Sequence, residues 1–92
     1  MINKERDIIS IFGKTAVTTI MDYYLSNHDA MHNITSLAKA TKLSHITVRK
    51  GIEGPSNAGI LKCLDIGSCM LITLDKESQT TKDLITFLEG QE

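Results

Sequence analysis

The stretch that most constrains this chain runs from Thr35 to Gly59, where two short helical patterns are separated by only Lys42-Leu43-Ser44. A gap that short makes the two helices turn against each other instead of continuing as one rod. Thr35 is a suitable N-cap for the first helix, Ser36 to Thr41, which directs Leu37 and Ala38 inward with Thr41 beside them. Ser44 caps the second, which starts at His45 and sets Val48 and Ile52 one turn apart on one stripe. Leu43, inside the turn, is placed to plug the core. Ala58-Gly59 closes the segment, because glycine accepts the left-handed backbone on which helices often end.

The segments on either side of this unit limit the architecture further. Leu61 to Ile66 and Cys69 to Leu74 are β-rich runs on either side of Gly67-Ser68, the pattern of a tight hairpin. Upstream, Asn3 is placed to cap a helix over Lys4 to Ile11 with Ile8, Ile9 and Phe12 at helical spacing, and Gly13 interrupts it. A second helix is predicted from about Lys14 to Ser26. Its apolar stripe is Val17, Ile20, Met21, Tyr24 and Leu25, with Lys14, Thr18 and Asp22 facing away. Ser26 to Asp29 is turn-rich, and Met31 to Asn33 suits a short strand. Ser78 to Gly90 reads as an amphipathic helix with Leu84, Ile85 and Leu88 on one face. The fold class is therefore α+β and mostly helical.

At 92 residues the chain is sized for a single domain over 1–92. Its 41% apolar and 23% charged residues are those of an ordinary globular protein. The longest uninterrupted apolar run around Met70-Leu71-Ile72 is far short of a membrane span, and the Met-Ile-Asn-Lys-Glu-Arg start has no secretory character, so a cytoplasmic protein is expected. Cys63 and Cys69 are too few for a disulfide scaffold and are expected as thiols. The net charge of -1 argues against indiscriminate nucleic-acid binding. Its distribution says more. Between Met31 and Lys62 stand Lys39, Lys42, Arg49, Lys50 and Lys62 against the single acid Glu53, a local charge of +4, which leaves -5 for the remainder. A basic stretch in an otherwise acidic chain suits a polyanion, though unevenly charged solvated surface gives the same count.

Two helices joined by three residues and followed by a hairpin make the plan of a winged helix. Ile34 to Ile52, read as Ile-Thr-Ser-Leu-Ala-Lys-Ala-Thr-Lys-Leu-Ser-His-Ile-Thr-Val-Arg-Lys-Gly-Ile, followed by Asn57-Ala58-Gly59-Ile60-Leu61, resembles a winged helix-turn-helix core. The Leu-Ser turn, the Thr-Val opening of the recognition helix and the Ala-Gly-Ile-Leu approach to the wing carry the likeness. Ile11 to Thr15 and the Ile-Met-Asp-Tyr-Tyr-Leu helix behind them resemble the entry helix of archaeal and bacterial regulators, in the broad sense ArsR/MarR-like. The resemblance covers roughly 11–74. It implies a helix-turn-helix over about 35–58, a two-stranded wing over about 60–74 and a C-terminal helix over about 78–90, in a protein that binds double-stranded DNA and regulates transcription. Pro55 departs from the pattern, standing where such helices usually carry leucine. A proline inside a helix costs roughly 3 kcal/mol. With Gly51 and Gly54 nearby, the recognition helix is expected over 45–53, ending or kinking near Glu53.

On that helix Val48 and Ile52 supply the anchor, and His45, Ile46, Arg49 and Lys50 lie on the other side. Ile46 falls about 200° from Val48, where contact with a thymine methyl is one use and packing on a partner chain another. Arg49 is placed either to read guanine with two hydrogen bonds or to clamp a phosphate. Lys42, Thr47 and Lys50 suit phosphates, as do the amides at Ser44 and His45. For each of these side chains plain solvated surface is the bland alternative. The wing tip, Asp65, Gly67 and Ser68, carries no base, so arginine insertion into the minor groove is not predicted, while Lys62 at its foot is in reach of a backbone.

One helix reads too few base pairs for useful specificity, so a homodimer is expected. Ile8 and Phe12 at one end, and Leu84, Phe87 and Leu88 at the other, are the candidate contacts, with intramolecular core as the alternative for part of each. Gly13-Lys14-Thr15 is not a phosphate-binding loop, since Ile8 stands where that motif needs glycine. His28 and His32 fall in loop, and Cys63 and Cys69, which face opposite sides of the hairpin if its loop has an even residue count, are expected as buried small apolar residues, not as a metal pair or a redox switch. No nucleophile, base and acid converge, so neither an enzyme nor a cofactor is expected, and no small-molecule effector is indicated. The competing reading is a winged-helix protein-interaction module without DNA contact.

Overall fold

The computed structural model describes residues 7–89. The expected cap Asn3, the helix start at Lys4 and the helix end at Gly90 lie outside the described residues. The described elements run α1 (Ile8–Phe12), α2 (Ala16–Ser26), β1 (Met31–His32), α3 (Ile34–Thr41), α4 (His45–Gly51), α5 (Glu53–Asn57), β2 (Leu61–Ile66), β3 (Cys69–Leu74) and α6 (Gln79–Leu88). The fold is α+β, with a three-stranded antiparallel sheet, and the order agrees with a winged-helix plan.

Side-chain caps decide where most of these helices begin. Asp7 accepts from Ser10 N at 2.8 Å and opens α1, which stops at Gly13 with φ 90. Thr15 and Thr18 form a reciprocal capping box at α2. Helical periodicity sends Thr18 to solvent and Val17 to the core. The structure reverses both: Thr18 is buried and Val17 is exposed. Because α2 starts only at Ala16, Thr18 is its third residue, and its hydroxyl folds back onto the Gly13 carbonyl at 2.7 Å.

A second correction falls at α3, whose N-cap is Asn33 and not Thr35. Asn33 Oδ1 accepts from Ser36 N at 2.8 Å, and Asn33 N donates to Ser36 Oγ at 3.2 Å. That box starts the helix at Ile34, two residues earlier than a Thr35 cap allows. Lys42 then takes the left-handed conformation, φ 62, to turn the chain. Ser44 caps α4 by accepting from Thr47 N at 3.1 Å.

The predicted recognition helix over 45–53 is shorter in the structure, ending at Gly51. The chain re-enters a helix at Glu53, and Pro55 becomes the third residue of α5. In a first turn the missing proline N–H leaves no interior hydrogen bond unmade. The break falls at Ile52, and the proline, inside the first turn of α5, kinks neither helix. Gly51 also lets α4 approach α2, since a Cβ there would stand 2.7 Å from Ile20 Cδ1.

The sheet order is β1-β3-β2. Leu61 pairs with Leu74 and Ile66 with Cys69, leaving Gly67-Ser68 as the turn. Gly67 has φ 63, the positive value that tight antiparallel turns require. The expected two-stranded wing gains a third strand because Met31 and His32 pair with Thr73 and Ile72. The helices cover one sheet face: the buried Tyr24 donates its hydroxyl to Ile72 O at 2.6 Å, and burial pushes its phenol well above the usual range. Ile20, Tyr24, Leu37, Val48 and Ile72 are fully buried and form the centre of the core. Thr81, also fully buried, donates to the carbonyls of Gly59 and Ile60 and fixes the start of α6 beside the hairpin entry.

Candidate nucleic-acid interface

The geometry of α4 follows from its two sides. Val48 is 0% exposed and Ile52 5%, so the helix is held down by the stripe the spacing predicts. On its other side His45, Ile46, Arg49 and Lys50 are all exposed. Lys42, exposed in the turn, extends this cationic surface from the N-terminal end. Ser44 and Thr47 have local roles: Ser44 Oγ donates to Thr47 Oγ1 at 2.9 Å and accepts from Thr47 N, so both hydroxyls are engaged in the cap. His45 Nε2 stands 3.2 Å from Thr35 Oγ1, tying the start of α4 to the start of α3.

Arg49 occupies the space between α4 and the hairpin. With Asn33, Thr35, Asp65, Ser68 and Met70 it lines a groove of about 470 Å³. With Ile52, Glu53, Ser56, Cys63 and Met70 it lines a second of about 410 Å³. Sequence reasoning missed Asn33, Thr35 and Ser68 as neighbours of Arg49. The Asn33–Ser36 pair was the available signal, since it marks where α3 begins and so what its first turn presents.

Lys62 is not brought to this surface. Leu61 faces the core, so Lys62 points to the other side of the sheet, where it lines a groove with Met31, Leu64 and Lys76. Lys76 forms an ion pair with Asp29, which holds the Asp29 carboxyl below its usual range.

Of the candidate dimer contacts, Ile8 is 3% exposed and belongs to the core, so it is corrected from surface to interior. α1 is a single turn lying against α2, and that packing covers Ile8 while leaving Phe12 in the open. Leu84 and Leu88 are half-buried against the core, and Phe87 is exposed.

His32 bridges Tyr23 Oη at 2.7 Å and Ser36 Oγ at 2.8 Å, which makes it a strut between α2 and α3. Cys63 and Cys69 are free thiols on opposite sheet faces. Cys63 is exposed beside Ser56 Oγ at 3.4 Å, contrary to the expected burial, because only the first residue of β2 reaches the core. Among the described residues no group of three or more His, Cys, Asp or Glu is placed to hold a metal ion. No helix among them is long and apolar enough to cross a membrane.

The chain matches no family model, and no curated protein matches it. Its structure is similar to that of a protein described as a possible transcriptional regulator from Methanosarcina mazei Go1. The TM-score is 0.62 at 17% identity, over 83% of this chain and 67% of that one. A likeness at that identity speaks for the fold alone.

Proposed function

We propose that this chain is a sequence-specific double-stranded DNA-binding protein that regulates transcription, that it acts as a homodimer, and that residues 1–92 work as one winged-helix unit. The observation that carries this reading is the exposed face of α4. His45, Arg49 and Lys50 stand clear on a helix anchored from behind by Val48 and Ile52. A short cationic helix supported by a second helix at its back fits a major groove. The fold that the chain shares with a possible transcriptional regulator is compatible with the regulatory part. Lys42, Arg49 and Lys50 are the phosphate and base contacts, with His45, Thr47 and Ser44 at the helix start. Lys62, on the far sheet face, joins the contact only where the duplex bends around the hairpin. Phe12 and Phe87, with Leu84 and Leu88, supply the dimer contact. The reading is of binding and not of catalysis.

A second reading, a protein-interaction module, is favoured by the exposed Met31, Leu64 and Ile66. Titration of duplex DNA across a salt series separates the two. Three phosphate contacts per protomer, six in the dimer, give a log–log slope of about -5, a loss of roughly 2,000-fold between about 50 and about 200 mM salt. Arg49→Ala/Lys50→Ala, which removes four cations from the dimer, is expected to weaken binding at least tenfold and make the slope shallower by about 4, with the melting temperature unchanged. Equal affinity in wild type and double variant ends the assignment of these two residues, and no duplex binding at low salt leaves the interaction module.

A further inference from the structure

The charged residues of α4 do not account for Ile46. It is 68% exposed, more than any other large apolar side chain among the described residues. It contributes nothing to the anchor, which is Val48 and Ile52. A β-branched residue on a helix surface also carries a small propensity cost. Its surroundings are cationic: Arg49 and Lys50 follow one turn later on the same flank, and Lys42 precedes it in the turn. A second copy of this face brought against the first would set those cations against their counterparts, which disfavours a self-contact here. An apolar spot ringed by positive charge instead matches a polyanion that presents an apolar group. In the major groove that group is the 5-methyl of thymine. The cross-section also fits, since a helix with its side chains is about 10–12 Å across and the groove is roughly 12 Å wide.

We propose that Ile46 reads the 5-methyl group of thymine, so that the site distinguishes thymine from uracil at one position in each half-site. The inference rests on the DNA-binding reading above and adds its specificity. The test uses the full chain. Duplexes are enriched from a randomised library, and each thymine of an enriched duplex is then replaced singly by deoxyuridine, which removes the methyl and leaves pairing intact. At one thymine per half-site the replacement is expected to lower affinity about fourfold, the effect of one methyl group left unburied. Ile46→Ala is expected to bind the thymine and uracil duplexes equally while keeping the salt slope and melting temperature of the wild type. Uracil tolerated at every position, enrichment of duplexes without thymine, or a thymine preference that survives in Ile46→Ala overturns the proposal. Steep salt dependence combined with uracil tolerance removes this inference alone, whereas no binding to any duplex removes the DNA-binding reading with it.

Discussion

α4 and the β2–β3 hairpin project from the same core and carry opposite chemistry. Every charged side chain on α4 is basic, and its one large exposed apolar residue sits among them. The hairpin has a single base, Lys62, turned to the far face, an acid at Asp65 near its tip and exposed apolar residues at Leu64 and Ile66. Both elements are locally well specified, yet only the helix offers a polyanion a favourable surface. The difference shows that a winged-helix plan does not fix how its parts are used. On the DNA-binding reading proposed above the helix makes the contact and the hairpin supports it, and Asp65, which lines the same groove as Arg49, lowers the positive potential there.

The largest expected effect breaks the helix side of the comparison at its anchor. Ile52 is 5% exposed and joins the core just past the end of α4. Ile52→Ala is expected to cost about 2–5 kcal/mol, the range for deleting a buried aliphatic side chain from a packed core. Chemical denaturation measures it, and the same variant loses duplex binding at temperatures where the wild type is folded. A cost under about 1 kcal/mol would mean that α4 is held by something other than its inward stripe.

How much of the fold and the site is legible in the sequence depends on the range of the interactions behind each feature. The Leu43 turn, the Ser44 cap, the Val48–Ile52 stripe and the Gly67-Ser68 turn are set by residues within one turn of each other, and local chemistry reveals them. The N-cap of α3 reads two residues late because Asn33 and Thr35 are both good caps, and only Ser36 returning the hydrogen bond chooses between them. Thr18 reads as outward-facing because a hydroxyl looks polar on a helical wheel; its burial depends on the Gly13 carbonyl five residues back. Sequence proximity groups Lys62 with the basic stretch, although alternation from the buried Leu61 already places it on the opposite sheet face. Ile8 enters the core because α1 is only one turn long and packs on α2, a tertiary fact with no local signature.

A smaller effect sharpens how closely α4 must sit on the body. Gly51→Ala gains roughly 0.5–1 kcal/mol of helix propensity. The new Cβ, however, meets Ile20 Cδ1 at 2.7 Å, and Ile20 is fully buried, so its end has little space into which to move. Overpacking of this kind costs about 1–3 kcal/mol, which leaves a net loss of about 1 kcal/mol. Ile20→Val removes that carbon for about 0.5–1.5 kcal/mol. Ile20→Val/Gly51→Ala should then be at least as stable as Ile20→Val alone, since the clash is gone and the propensity gain remains. Additive losses in thermal melts would assign the role of Gly51 to backbone freedom and not to the approach of the two helices.

The smallest effect tests the wing from its own side. If the hairpin is only a support, its acid is a cost borne by binding, and converting it should help. Asp65 is exposed near the tip and shares a groove with Arg49, so Asp65→Lys removes a carboxylate from beside the reading helix and places an ammonium where the hairpin approaches a phosphate. One added phosphate contact steepens the log–log salt slope by about 0.9 per protomer, and the expected gain in affinity at moderate salt is about threefold. Because the position is exposed, the melting temperature should stay where it is. A gain that disappears at high salt is the electrostatic signature. An unchanged slope would place the hairpin tip beyond reach of the duplex, leaving α4 and its turn as the whole contact surface of each protomer.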